Sequence, residues 1–300
     1  AGVYHEPNGF RLAVRLPAGR NGIWEELKLH VPPKGTPGSL PLLEPPGTVY
    51  AHSLHLDAAY FWKNRDRLVN EQTLKDIEEG EKQISRFLPS RAKLGELLEM
   101  WGPYHRVVVV NHDTRPYKTE PGLKLPAFGY VATARDPKFG PDLAPVLRSA
   151  GVVASLQFGL KMVEHDYEGV KLVAYRFPEN KPLADDPENL RFNFEPCFAV
   201  VGNEVVFAST VELGKKLVTE LKKPRPAEAT PAVVRGKFAV KAAADALGEV
   251  ADPLITDAVL GRGLGLDVAK KEIAELVAFV KTLGTVAVEL DVTDTEYRVD

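Results

Sequence analysis

Cysteine is almost missing from this chain. Cys197 is the single one in 300 residues, so no disulfide can form within the chain and packing must hold the fold. The compartment stays open, because many exported bacterial proteins also lack disulfides. Beside an apolar run, Cys197 is expected to be a buried, inert thiol. An excess of one charge sign is missing too: 38 Lys and Arg against 41 Asp and Glu leave a net charge of -3. A polyanion gains nothing electrostatic from such a surface, so nucleic acid ranks low among partners. No apolar run reaches the roughly 18 to 20 residues that a membrane-spanning helix needs. Only two methionines occur and the chain opens at Ala1, which is compatible with earlier removal of a signal or anchor segment. Nucleophile elbow, Walker loop, zincin helix and paired-cysteine motif are all lacking, and nothing asks for a cofactor.

What is present is an ordinary globular composition, 44% hydrophobic and 26% charged, long enough for one large domain or two. The patterning predicts an α+β fold: antiparallel sheets with packed helices, in repeated sheet-plus-helix modules. The clearest module spans 198 to 221. Two apolar runs, Phe198-Ala-Val-Val and Val205-Val-Phe-Ala, flank a Gly202-Asn203 turn and predict a hairpin central in a sheet. Ser209 or Thr210 then caps a helix whose Leu213, Leu217 and Leu221 form one stripe.

From the N-terminus, Phe10, Leu12, Val14 and Leu16, followed after Asn21-Gly22 by Leu27, Leu29 and Val31, predict a half-buried hairpin. Prolines and glycines from 32 to 47 predict an extended surface connector. A strand at 50 to 58 precedes helical patterns to Leu88, with Thr73 and Asp76 as a capping box, and a further helix ends near Trp101. After a turn at Gly102-Pro103, the run Val107 to Val110 predicts a strand buried on both faces. Strand 128 to 134, the helix of Leu143 and Val146, and a hairpin turning at Glu168-Gly169 follow. The run from Pro224 to Pro231 is the clearest linker. Beyond it come a strand at Phe238, helices over 242 to 247 and 268 to 283, and a hairpin of 286 to 290 with 297 to 299. The expected organisation is a hairpin and Pro-rich connector over 1–48, a main α+β module over 49–223, and a second, incomplete module over 231–300. Its last strand is expected to meet a strand from a partner or from a longer chain.

Three segments carry a resemblance: Phe128-Gly-Tyr-Val-Ala-Thr-Ala-Arg-Asp-Pro137, Asp166-Tyr-Glu-Gly-Val-Lys171 and Phe198-Ala-Val-Val-Gly-Asn-Glu-Val-Val-Phe-Ala-Ser-Thr210. In this order and at roughly this spacing they resemble a family of exported or membrane-anchored bacterial proteins of unknown function, frequent in planctomycetes. The resemblance implies an extracytoplasmic location, periplasmic or secreted, and an α+β repeat. It carries over no catalytic residues.

The residue types for metal binding gather at His52-Ser-Leu-His55-Leu-Asp57. Imidazole and carboxylate suit zinc, but strand alternation puts His55 and Asp57 on one face and His52 on the other. His112 is the further candidate ligand, joining His55 and Asp57 only if the fold brings it there. Tyr60, Phe61 and Trp62 could line an apolar ligand groove or simply pack as core. Gly261-Arg-Gly-Leu-Gly265 follows a helical pattern, not a strand, and reads as a loop between helices. The expected function is therefore a non-enzymatic binding or structural protein of the bacterial cell envelope. Its partner is an envelope protein; the alternatives are a carrier of an apolar small molecule, and a metal-dependent hydrolase.

Overall fold

Among the described residues, alternating apolar and polar residues form the strands of one twelve-stranded antiparallel sheet. This computed structural model describes residues 1–7, 9–85, 93–111, 116–136, 139–183, 185–224 and 230–300. At the middle of the sheet, β3 (Thr48–His55) lies antiparallel to β10 (Ala232–Ala239), with His52 opposite Gly236. After β3 come three helices, α1 (Ala58–Leu68), α2 (Glu71–Ser85) and α3 (Leu94–Met100), then β4 (Trp101–Val110) and β5 (Ala127–Ala134). After β10 come α6 (Val240–Glu249), α7 (Ala251–Arg262) and α8 (Leu266–Thr282), then β11 (Thr285–Val292) and β12 (Glu296–Val299).

The two series mirror one another about the β3–β10 junction. Outward from it stand β4 and β5 on one side, β11 and β12 on the other. Even the register slips match, between Thr48 and Tyr50 in one half and between Ala232 and Val234 in the other. Next to β5 lies the hairpin β8 (Cys197–Val201) and β9 (Glu204–Ala208); next to β12 lies the hairpin β1 (Gly2–Glu6) and β2 (Gly9–Arg15). Each hairpin precedes, in sequence, the strand that opens its own repeat, yet pairs with the last strand of the other. The repeat unit is thus hairpin, strand, three helices and two strands, larger than the strand-turn-strand-helix module of the local pattern. One half carries an addition: α4 (Phe139–Phe158), followed by β6 (Lys161–Tyr167) and β7 (Val170–Arg176), which continue the sheet beyond β8.

The core divides between the two sheet faces. On one, α5 (Val211–Lys222) lays Leu213, Leu217 and Val218 against Val108, Val131, Val206 and Ala208. Thr210 caps α5, its hydroxyl accepting the Leu213 N–H, as its apolar stripe requires. Glycines let α5 come close: a Cβ at Gly129 would lie 2.7 Å from Leu217, and one at Gly214 2.7 Å from the Cys197 sulfur. On the opposite face, α4 places Phe139, Leu143, Val146 and Leu147 with α3's Leu97 over Ala134, Val205 and Phe207. Ala144 and Leu147 also cover Val173, Tyr175 and Phe198.

Several local expectations are corrected. The N-terminal hairpin pairs 2–6 with 9–15, and Asn21-Gly22 lies in a 3-10 turn, Gly19–Gly22. Leu27 and Leu29 lie in a second such turn, Glu25–His30, while Ile23 and Val31 pack on Val233 and Val292. The cap of α2 is Asn70, which accepts the Thr73 N–H at 2.9 Å. β4 runs straight through Gly102-Pro103. Its Val108 and Val110 are buried but Val107 and Val109 only half so, because helices cover the second face in part. The hairpin at 198 is buried and interior, with Val205 and Val206 at 0% and 1% exposure, but the junction about which the two halves mirror is β3–β10. The Pro-rich connector does more than cross a surface, since Leu43 joins the α5-side core. The strand beside β12 is the chain's own β2. Residues 225–229 of the expected linker lie outside the described residues.

Candidate functional site

The expected metal ligands occupy the corner where β3 passes into α1. His55 is buried, edge-on to Tyr104, and burial lowers its imidazole to about 4, so the ring is neutral at ordinary pH. His52, on the opposite face as strand alternation requires, stacks on Tyr50 and shares a 3.1 Å hydrogen bond with that hydroxyl. The Asp57 carboxylate caps α1 by accepting the Tyr60 N–H at 3.0 Å and pairs with Arg135 at 2.6 Å. His30 and His105 also approach, but their rings meet backbone: His30 contacts the His55 carbonyl at 3.3 Å, and His105 Nε2 the Leu56 carbonyl at 3.0 Å. The Tyr130 hydroxyl holds the other nitrogen of His105 at 2.6 Å. Imidazoles here fix a chain reversal. Among the described residues no three His, Cys, Asp or Glu side chains are grouped to hold a metal. His112 lies outside the described residues.

Tyr60, Phe61 and Trp62 begin α1. The Tyr60 hydroxyl donates to Glu25 at 2.8 Å. Trp62 stacks under the Arg65 guanidinium and closes on α3 at Gly95, where a Cβ would meet the indole at 2.2 Å. Tyr60 and Trp62 thus join α1 to its neighbours within the fold.

Several concavities lie elsewhere among the described residues, two of them against α4 and α5. One, of about 220 Å³, opens at the start of α5 and is lined by His165, Glu195, Thr210 and Lys215 among others. Burial raises the Glu195 carboxyl despite Arg176 at 3.6 Å. Burial likewise pushes the neighbouring Cys197 thiol to about 12, which leaves it inert. The other, of about 440 Å³, lies between α4 and β7–β8, with Val173 and Phe198 in its wall and Arg148 and Lys171 at its rim. Both cations are engaged by Glu164, at 2.7 and 2.9 Å.

No protein-family model, no curated protein and no solved structure matches the chain.

The remaining feature is a face. Residues directly opposite in an antiparallel ladder share one face about 5 Å apart. The registers therefore set Val286, Phe238, Tyr50, Val109 and Phe128 in one row across the sheet. A second row runs through Val3, Leu12, Val299, Leu290 and Val234. This is the face that α4 covers at β8 and β9. Over β1, β2, β11 and β10 it is open: Val3 is 72% exposed, Phe10 69%, Val286 54% and Val288 45%. Leu12, Val14 and Phe238 are exposed as well. Exposed apolar surface gathered on one face is the kind that marks interaction sites. The alternation of Phe10, Leu12 and Val14 predicts a half-buried hairpin, and in the structure all three are exposed. The signal for exposure was weak: Val286 and Val288 alternate with Ala287 and Glu289, as in any one-sided strand.

Proposed function

We propose that the protein is a non-enzymatic binding module whose working surface is the open face of β1, β2, β12, β11 and β10. The exposure of Val3, Phe10, Val286 and Val288 on one side of one sheet supports this, since contiguous apolar patches beyond a few hundred Å² are rare on monomers and mark interaction sites. The motif resemblance supports an extracytoplasmic setting, with an envelope protein as partner. The test places a photo-crosslinking amino acid at Phe10 and at Val288, with Leu260, an isolated apolar residue 80% exposed on α7, as control. Illumination in extract of the producing organism is expected to give one discrete adduct from the first two sites. Equal labelling from Leu260, or no adduct at all, would remove the reading.

A second reading, carriage of a small apolar ligand with an acidic head, is favoured by the groove beside α4, whose Val173 and Phe198 wall and Arg148 and Lys171 rim fit such a molecule. Saturable binding of a fluorescent fatty acid that Arg148→Glu abolishes would establish it.

A further inference from the structure

The cavity at the start of α5 carries charged groups that the fold leaves without full partners. Its volume of about 220 Å³ is room for several waters at about 30 Å³ each. It falls below the roughly 300–1,000 Å³ of pockets for drug-sized ligands, so an occupant other than water is a small molecule.

The lining holds both signs of charge. Glu195 and Glu212 supply carboxylates, Lys215 an ammonium and His165 an imidazole, whose Nε2 is buried without a hydrogen-bond partner. Glu195 lies two residues before β8 and is fixed by its backbone, its N–H donating to the Ser209 carbonyl at 2.9 Å. Its side chain is only 8% exposed, and its ion-pair partner Arg176 stands at 3.6 Å, beyond hydrogen-bond length. The Arg176 guanidinium is already engaged, donating to the Pro116 carbonyl and lying over the Tyr117 ring. Among the described residues no donor bonds the Glu195 carboxyl. A buried acceptor left so is costly, and at the lining of a cavity a ligand donor can meet it.

Lys215 supplies the opposite sign. Its ammonium lies 5.8 Å from the Tyr167 ring centroid and, among the described residues, pairs with no carboxylate. Val211 and Glu212 open α5 and line the same cavity, and N–H groups in a first helical turn have no acceptor within the helix. The Thr210 hydroxyl takes the Leu213 N–H and leaves these two for an anion.

We propose that this cavity binds a free α-amino acid, its ammonium on the Glu195 carboxylate and its carboxylate between Lys215 and the N–H groups of Val211 and Glu212. A ligand of one sign leaves the other charge of the lining unmet; a zwitterion meets both. Burial raises the Glu195 carboxyl, and an ammonium beside it favours the ionised form again. The site is separate from the open face, so neither reading stands or falls with the other.

The twenty standard amino acids, offered singly to the full chain, are screened by saturation-transfer NMR, and a responder is titrated by calorimetry. At least one is expected to bind saturably. Two analogues of it, one lacking the amine and one lacking the carboxylate, are each expected to bind about tenfold more weakly or worse, the effect of losing one charged hydrogen bond. Glu195→Gln and Lys215→Met are expected to weaken the intact amino acid as much, and Lys216→Met, on the same helix but outside the cavity, to leave it unchanged. Melting temperatures report whether the variants fold, and the analogues decide the matter on the native chain if one does not. No responder among the twenty overturns the proposal. An analogue that binds as tightly as its parent overturns it too, because the cavity then selects a single charge. So does an affinity that survives Glu195→Gln or Lys215→Met in a folded variant.

Discussion

Arg106 is 1% exposed in the sheet and meets Glu204, itself 16% exposed, in an ion pair between β4 and β9. Removing Glu204 takes a charge-assisted hydrogen bond from this buried guanidinium. Glu204→Ala is therefore expected to lower unfolding free energy by about 1–3 kcal/mol, read from the urea midpoint, and a loss below about 0.5 kcal/mol would mean that the pair adds no more than one on the surface. His55 gives a prediction of opposite chemistry. Burial lowers its folded-state value to about 4 from an ordinary 6.5, so between those values the unfolded chain binds the extra proton. Stability is then full above pH 6.5 and falls as pH drops toward 4. His105, also lowered by burial, acts with the same sign. In His55→Leu the acid-side slope of stability against pH is expected to flatten, and an unchanged slope would exonerate His55. The residue types at this corner were legible in the sequence, but their role was not. What decides it is the carbonyls of His55 and Leu56, which only the folded chain brings to His30 and His105.

Among elements, α5 was the most legible, because cap, stripe and turn agree within a short span. The segment 16 to 31 was the least, since its apolar spacing suits a strand as well as the 3-10 turns that it forms. Period says which side is apolar and not what lies against it. The same limit explains Val107 and Val109, whose run suggests burial on two faces while helices cover only part of one. How near α5 stands to the sheet is set by Gly129 and Gly214, and neither position announces it in the sequence. At Gly214 a Cβ would fall 2.7 Å from the Cys197 sulfur and 2.8 Å from Leu172. Gly214→Val is expected to cost about 1–3 kcal/mol by overpacking, measured by urea unfolding. Lys216→Val, on the same helix but only half-buried, is the control.

At the scale of the molecule, the α+β class and the presence of repetition were readable, and the pairing of the halves was not. Hydrogen bonds between β3 and β10 and between β2 and β12 tie together segments that composition separates at the proline-rich run. A protease site placed within 225–229 and cleaved in the native protein is expected to leave the pieces, 1–224 and 230–300, associated on a gel-filtration column until denaturant is added. Elution as two species without denaturant would mean that the β3–β10 ladder adds little to cohesion.

The exchanged hairpins also order events in time. Arg11 and Asp300 form an ion pair across 289 positions of sequence, beside a ladder in which β2 meets β12. Contacts this distant close large loops and come late. During synthesis β1 and β2 leave the ribosome well before β12, the strand they join, is made. This early hairpin thus docks late, and until then Val3, Phe10 and Leu12 travel exposed beside a nascent chain.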